Sequence, residues 1–318
     1  MSWRRGSYSQ CMREPIISRT FRGAARAWWD DDCTRLGASL AYYTLFAIAP
    51  VLLMATAIAG MVFGPDAVRA EIVAQLDQLV GHEGALAIES LLEAASRRPS
   101  GTLATMFGGV AFLIAATGAF LELQVALNTI WRVKPRPTGH LYAFVIDRLR
   151  SFGLVVAIGF LLLVSLTVTA ALAALGAWLF KLSPANATFW TILNTLISIA
   201  VTTGLFALLF RFLPDVRLRW RDVATGAAVT AVLFTLGQHL IGLYLGQGVV
   251  ASSYGAAGSI MVLLLWVYYS CQIVLFGAEF TRVWAARHGV KVKPESFAVK
   301  DPKAVQPKSA LTHVESKP

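Results

Sequence analysis

The sequence predicts an all-α integral membrane protein, a compact bundle of six transmembrane helices with both termini on the cytoplasmic side. Three observations carry this. The 318 residues are 56% hydrophobic and only 14% charged, against about 25% charged in an average soluble domain. Six apolar stretches are each long enough to cross a bilayer core, which takes about 20 helical residues. The charge is also one-sided. Of the 28 lysines and arginines, 24 fall at the two ends and even-numbered turns, and 4 in the odd-numbered loops. Basic residues are retained on the cytoplasmic side.

Residues 1–35 form the cytoplasmic N-terminal segment. Within it, PIISRTFRGAARAWW (Pro15 to Trp29) places Arg19, Arg22 and Arg26 on one helix face. Ile17, Phe21, Ala24 and Trp28 fall on another. This is the pattern of a helix lying in the membrane interface, with arginines toward anionic lipid headgroups. A helix packed on the protein is the alternative. No apolar signal core precedes it, so the first span is expected to serve as an uncleaved signal.

The spans are residues 36–63, 103–130, 152–180, 188–213, 223–246 and 256–284. None has the period-two alternation of barrel strands. Backbone groups in lipid must bond within their own segment, which leaves helices. The long outer loop, 64–102, carries six acidic residues against three arginines. Val68, Ile72, Leu76 and Leu79 keep helical spacing, and Leu86, Leu91 and Leu92 resume it. Two short amphipathic helices over the outer mouth are expected. Residues 288–318 turn rich in Lys, Pro and Ser and read as a disordered cytoplasmic tail.

Ionisable residues at membrane depth are costly, so each is a functional candidate. Glu122 lies about 13 Å inside the end of the second span at 1.5 Å per residue. Glu122, Gln124 and Asn128 with Glu279 form a candidate polar pathway open to the cytoplasm. Gln238 and His239 of the fifth span, and the hydroxyls of Tyr42 and Tyr43 in the first, extend it. Structural alternatives stand beside each. Glu122 could make an interhelical bond, Glu279 could pair with Arg282 at i+3, and His239 could be a packing residue. Pro50 cannot donate to the Phe46 carbonyl, so a kink in the first span is expected. Small residues at Gly226–Ala228, Gly242 and Gly246, and Gly255–Gly258 allow close helix approach or a homo-oligomer.

Other chemistries lack residues. Cys11, Cys33 and Cys271 form no CxxC pair and no cluster with histidines. No GxSxG, HExxH or Walker-type loop occurs. No catalytic residue, cofactor or metal is expected, and the chain does not read as an enzyme. Membrane orientation accounts for the net charge of +10, so no nucleic-acid partner is expected.

Four ordered blocks carry a resemblance. They are LGASLAYYTLFAIAPVLLM (Leu36–Met54), ELQVALNTIWRVKP (Glu122–Pro135), LPDVRLRWRDVATGAAVTAVLF (Leu213–Phe234) and LYLGQGVVASSYGAAGSIMVLLLWVYYSCQIVLFGAEFTRVWA (Leu243–Ala285). With these the chain resembles the YihY/BrkB family of bacterial inner-membrane proteins over residues 20–287. The resemblance implies six spans with both ends inside. The family has carried a ribonuclease BN label. A metal ribonuclease needs clustered histidine and aspartate ligands, whereas the five histidines here are scattered from His82 to His313. Ribonuclease activity is therefore not expected. Links of relatives to serum resistance and virulence imply an envelope role. The expected function is of transport class, moving a lipid or other amphiphilic envelope component. The alternative is a scaffold or assembly factor that engages envelope proteins through the outer loop.

Overall fold

Long apolar helices dominate the chain, as lipid-compatible composition requires. The computed structural model describes residues 16–64, 102–135, 187–245, 258–290, 293–295 and 298–301, with scattered positions between 68 and 93. Six helices are named here in chain order: α1 (Ile16–Asp30), α2 (Cys33–Phe63), α3 (Thr102–Trp131), α4 (Ala187–Phe212), α5 (Trp220–Leu245) and α6 (Gly258–Arg287). Each of α2–α6 begins and ends within four residues of a span expected from the sequence. The expected span 152–180 lies outside the described residues. Helix α2, at 31 residues, is about 46 Å long, longer than a bilayer core of about 30 Å.

Neighbouring helices run antiparallel, and glycines set two contacts. On α5 and α6, Gly226 lies against Thr281 and Gly277 lies against Thr230, so each threonine fills the gap left by the opposite glycine. Each threonine hydroxyl donates within its own helix, Thr230 to the Gly226 carbonyl and Thr281 to the Gly277 carbonyl, both at 2.7 Å. The polar atoms are thus spent locally, and the facing surfaces can close. Gly37 of α2 makes the same kind of room for Gln272 of α6, whose amide leans toward the Cys33 carbonyl at 3.3 Å.

The main core gathers at the end of the bundle that carries α1. It joins Cys33 and Leu36 from the start of α2, Leu127 and Ile130 from the end of α3, and Phe210 from the end of α4. Val223 from the start of α5 and Leu275 and Ala278 from late α6 complete it. The starts of α2 and α5 and the late turns of α3, α4 and α6 thus share one end of the bundle. Helix α1 lies against the last turns of α6. Its Phe21 ring lies tilted against Phe276 at 5.1 Å and edge-on to Phe280 at 5.8 Å, and Arg287 donates to the Arg19 carbonyl at 2.7 Å.

One expectation needs correction. The disordered tail does not begin at residue 288. Helix α6 stops at Gly289, whose φ of 69° suits only glycine well. The Val290 amide then bonds back to Ala285 and the Gly289 amide to Ala286, the six-to-one and five-to-two pair that ends many helices. The chain reverses into two short strands. Strand β3 (Lys293–Pro294) pairs antiparallel with β2 (Val216–Arg217), and β4 (Ala298–Lys300) pairs with β1 (Val133–Pro135). Lys134–Asp301 at 2.8 Å and Arg217–Glu295 at 3.0 Å flank these ladders. Composition alone missed them because the order comes from partners more than 70 residues away. Residues 302–318 lie outside the described residues.

The outer loop carries a second outcome. Residues 85–90 are helical as expected, and they pack into the bundle. Ala87, Ile88 and Leu92 are each at most 4% exposed and share one core with Leu40 of α2 and Leu263 and Val267 of α6. A run of small and aliphatic residues fits between two helices, and burying it removes apolar surface from water or headgroups.

Candidate functional site

The residues singled out in the sequence separate into three places. The first is a seam between α2 and α3. Ser39 and Tyr43 lie one turn apart on α2, as Gly118 and Glu122 do on α3. The two pairs meet rung by rung. Ser39 donates to Glu122 Oε1 at 2.5 Å, and Gly118 lies beneath the Tyr43 ring. Glu122 is only half-buried, Tyr43 is 43% exposed and Tyr42 58% exposed. Tyr42 lies between its neighbours, edge-on to Tyr43 at 5.7 Å and tilted against Phe46 at 4.9 Å. A carboxylate and two aromatics with polar tips therefore share one accessible strip of an apolar surface.

The second place is a turn clamp. Gln124 and Asn128 do not line the seam. They reach instead to Asp215, in the turn between α4 and α5. Asn128 Nδ2 donates to Asp215 Oδ2 at 2.8 Å, and the Asp215 amide donates to Asn128 Oδ1 at 2.9 Å. Gln124 Nε2 donates to Oδ1 at 3.1 Å. The Asp215 carbonyl in turn accepts from the Glu295 amide at 3.0 Å. Helix α3, the α4–α5 turn and the C-terminal strands are thereby tied through one aspartate. Asp215 was not a sequence candidate. Its position after Leu213 and Pro214, in a turn, reads as ordinary turn chemistry, and nothing local shows its distant partners.

The third place is an ion cluster at the junction of α1, α2 and α6. Arg282 Nε and Nη2 both donate to Glu279 Oε2, at 2.9 and 2.7 Å. The same Nη2 donates to Asp31 Oδ2 at 3.2 Å, and Arg132 stands 3.7 Å from Asp31 Oδ1. Glu279 is fully buried. Cys33, three residues before the expected start of the first span, is also buried. Its thiol is held well above the usual range, first by burial and then by the nearby Glu279 and Asp31 charges. Two backbone oddities flank the cluster. Asp32 and Arg132 take left-handed φ values of 51° and 57° without being glycine, a costly conformation retained where the surroundings impose it.

The remaining candidates fall outside these groups. Gln238 is half-buried on α5. The side chains of His239 and Pro50 lie outside the described residues, and α2 continues as one helix through position 50.

Comparison with known proteins fixes the family. The pattern of the Virulence factor BrkB family matches residues 24–301, ending where the β4 strand and its Asp301 bridge end. The chain belongs to the BrkB family. It is similar to a UPF0761 membrane protein of Rhodospirillum centenum, 29% identical over 295 residues, covering 90% of this chain and 62% of that one. A UPF0761 membrane protein of Ralstonia nicotianae is 28% identical over 266 residues, 83% of this chain and 58% of its own length. One from Pseudomonas aeruginosa is 27% identical over 277 residues, 84% and 64%. The BrkB chain described here thus spans about three-fifths of the length of these curated relatives. No solved structure matches it. It is a membrane protein of the BrkB/UPF0761 family.

Proposed function

We propose that this BrkB-family chain crosses a bacterial inner membrane six times, with both ends in the cytoplasm, and moves an amphiphilic envelope component along the α2–α3 seam. The observation that carries this is the half-buried Glu122 with Ser39, Tyr42 and Tyr43 on an otherwise apolar outer surface. A polar strip bordered by lipid-facing side chains suits a molecule whose headgroup must cross while its tails stay in the bilayer. A carboxylate in such a setting is expensive unless it is used.

The membrane reading has its own support. Thr195–Phe212 and Ile260–Arg287 have mean hydropathies of 1.8 and 2.0, yet only 11% and 33% of those windows are buried in the protein. Core helices of a soluble protein would be mostly covered. Leu196, Leu236 and Leu240 expose more than half of their surface, which a lipid environment accommodates. Helix α1, the turns after α3 and α4, and the C-terminal strands meet at one end, the arrangement that both termini inside requires. Exposed Ile16, Ile17 and Trp29 on α1, with Arg22 and Arg26 exposed nearby, suit anionic headgroups at that face.

The test is transbilayer movement of a fluorescent phospholipid in liposomes holding the purified chain. Wild type is expected to accelerate movement at least tenfold over empty vesicles, and Glu122→Gln to remove most of the gain while eluting as a folded protein. Equal rates in empty, wild-type and variant vesicles, repeated with a polyprenyl lipid, would end this reading.

A further inference from the structure

The ion cluster lies apart from the seam, and its bonding is lopsided. Gly277 and Thr281 face α5. Glu279 is two residues from each, about 200° around the helix, and so points away from α5 toward the α1–α2 turn. There its two oxygens differ. Oε2 accepts both Arg282 bonds, whereas Oε1 is buried and has no hydrogen-bond partner. An ionised carboxylate has about four acceptor sites, and burial without partners is costly.

The surroundings add a second constraint. Arg282 Nη2 holds Glu279 Oε2 at 2.7 Å and Asp31 Oδ2 at 3.2 Å, so the two acids share one guanidinium nitrogen. Their oxygens are therefore within about 6 Å, the range in which like charges disfavour joint ionisation. Asp32 and the neutral Cys33 thiol follow in the same turn. Arg132 approaches from α3, but it meets Asp31 rather than Glu279. Helix α5 meets the opposite face of α6, through Gly226 and Thr230 against Thr281 and Gly277. Asp31 and Glu279 thus compete for Arg282, and a proton on one of them relieves their repulsion.

We infer that Glu279 is a proton-binding site of this protein, taking one proton on Oε1 from the aqueous side of the α1–α2 turn. Asp31, 16% exposed where Glu279 is fully covered, is the group through which the proton enters. The proton comes from water and returns to it, and no other bond changes. With Glu279 neutral, Arg282 is left to Asp31, and the tie between α6 and the α1–α2 turn rests on one ion pair instead of two.

The experiment is pH-difference infrared spectroscopy of the full chain in phosphatidylcholine nanodiscs, a lipid without N–H donors. Between about pH 6 and pH 9 exposed carboxyls stay ionised, so a protonated-carboxyl C=O band reports a sheltered acid. Wild type is expected to show one such band, lost toward high pH. Glu279→Gln should abolish it, Glu122→Gln should keep it, and Asp31→Asn should weaken it at neutral pH by removing one of the paired acids. Absence of the band in wild type, or its survival in Glu279→Gln, would overturn the assignment. Should Glu279→Gln fail to fold, an Asp31→Asn band identical to wild type does the same. None of these readouts requires lipid movement, so they stand or fall separately from the seam.

Discussion

Glu122 and Glu279 are both acids inside long apolar helices, and each lies near the α1 end of the bundle, yet they are treated in opposite ways. Glu122 takes one short bond from Ser39 and stays half-buried on the α2–α3 surface. Glu279 takes two bonds from Arg282, shares that arginine with Asp31 and is sealed off. The first is an acid kept accessible with little protein committed to it. The second is an acid on which three segments converge. Burial and bonding, rather than depth along a helix, separate a group that can meet a ligand from one that holds the protein together or exchanges only a proton.

That contrast can be broken by removing partners. The largest effect is expected from Arg282→Ala, which strands Asp31 and Glu279 without their shared cation. Losing one side of a buried pair costs about 3–5 kcal/mol, and fluorescence-detected size exclusion after heating should show a much lower midpoint. If Arg282→Ala melts like wild type, the cluster is no anchor. Next comes Gly226→Ala, whose added methyl would collide with Thr281. Overpacking of this kind costs about 1–3 kcal/mol, read in the same assay, and unchanged melting would show that α5 and α6 are not in the contact described.

Asn128→Ala should follow, at about 1–3 kcal/mol for leaving buried Asp215 groups unmatched. Its signature is faster hydrogen exchange in residues 213–219 and 293–301 together, since one aspartate ties both. Exchange confined to α3 would refute the clamp. Ser39→Ala should matter least for folding, at about 0.5–1.5 kcal/mol, while slowing lipid movement in the liposome assay as is expected of Glu122→Gln. A stability loss as large as that of Arg282→Ala would erase the distinction between the two acids. Cys33 offers a last check. Burial and neighbouring acids hold its thiol protonated, and since only the thiolate is nucleophilic, a maleimide should leave Cys33 unmodified in the folded protein near neutral pH.

Much of the fold was legible because long apolar runs favour long helices, and α2, α4, α5 and α6 follow the runs that mark them. The i,i+3 spacing of Glu279 and Arg282 also showed a pairing that the structure contains. Spacing failed where partners are distant. Gln124 and Asn128 sit on the same helix as Glu122, and nothing within that helix says that they turn to Asp215, 87 residues beyond Asn128. Asp31 looked like one acid in a run of three, although it completes the Glu279 cluster. The strands after Gly289 were hidden for the same reason. Short polar segments carry almost no intrinsic preference, and only the edges waiting at β1 and β2 give them form.

Those strands set an order of assembly. Residues 293–301 leave the ribosome after every helix described here, and they can pair only when the turns following α3 and α4 already stand side by side. The segment therefore works as a final buckle that closes over a correctly threaded bundle. A chain whose helices are threaded wrongly would hold those turns apart and leave the buckle open for a protease to find.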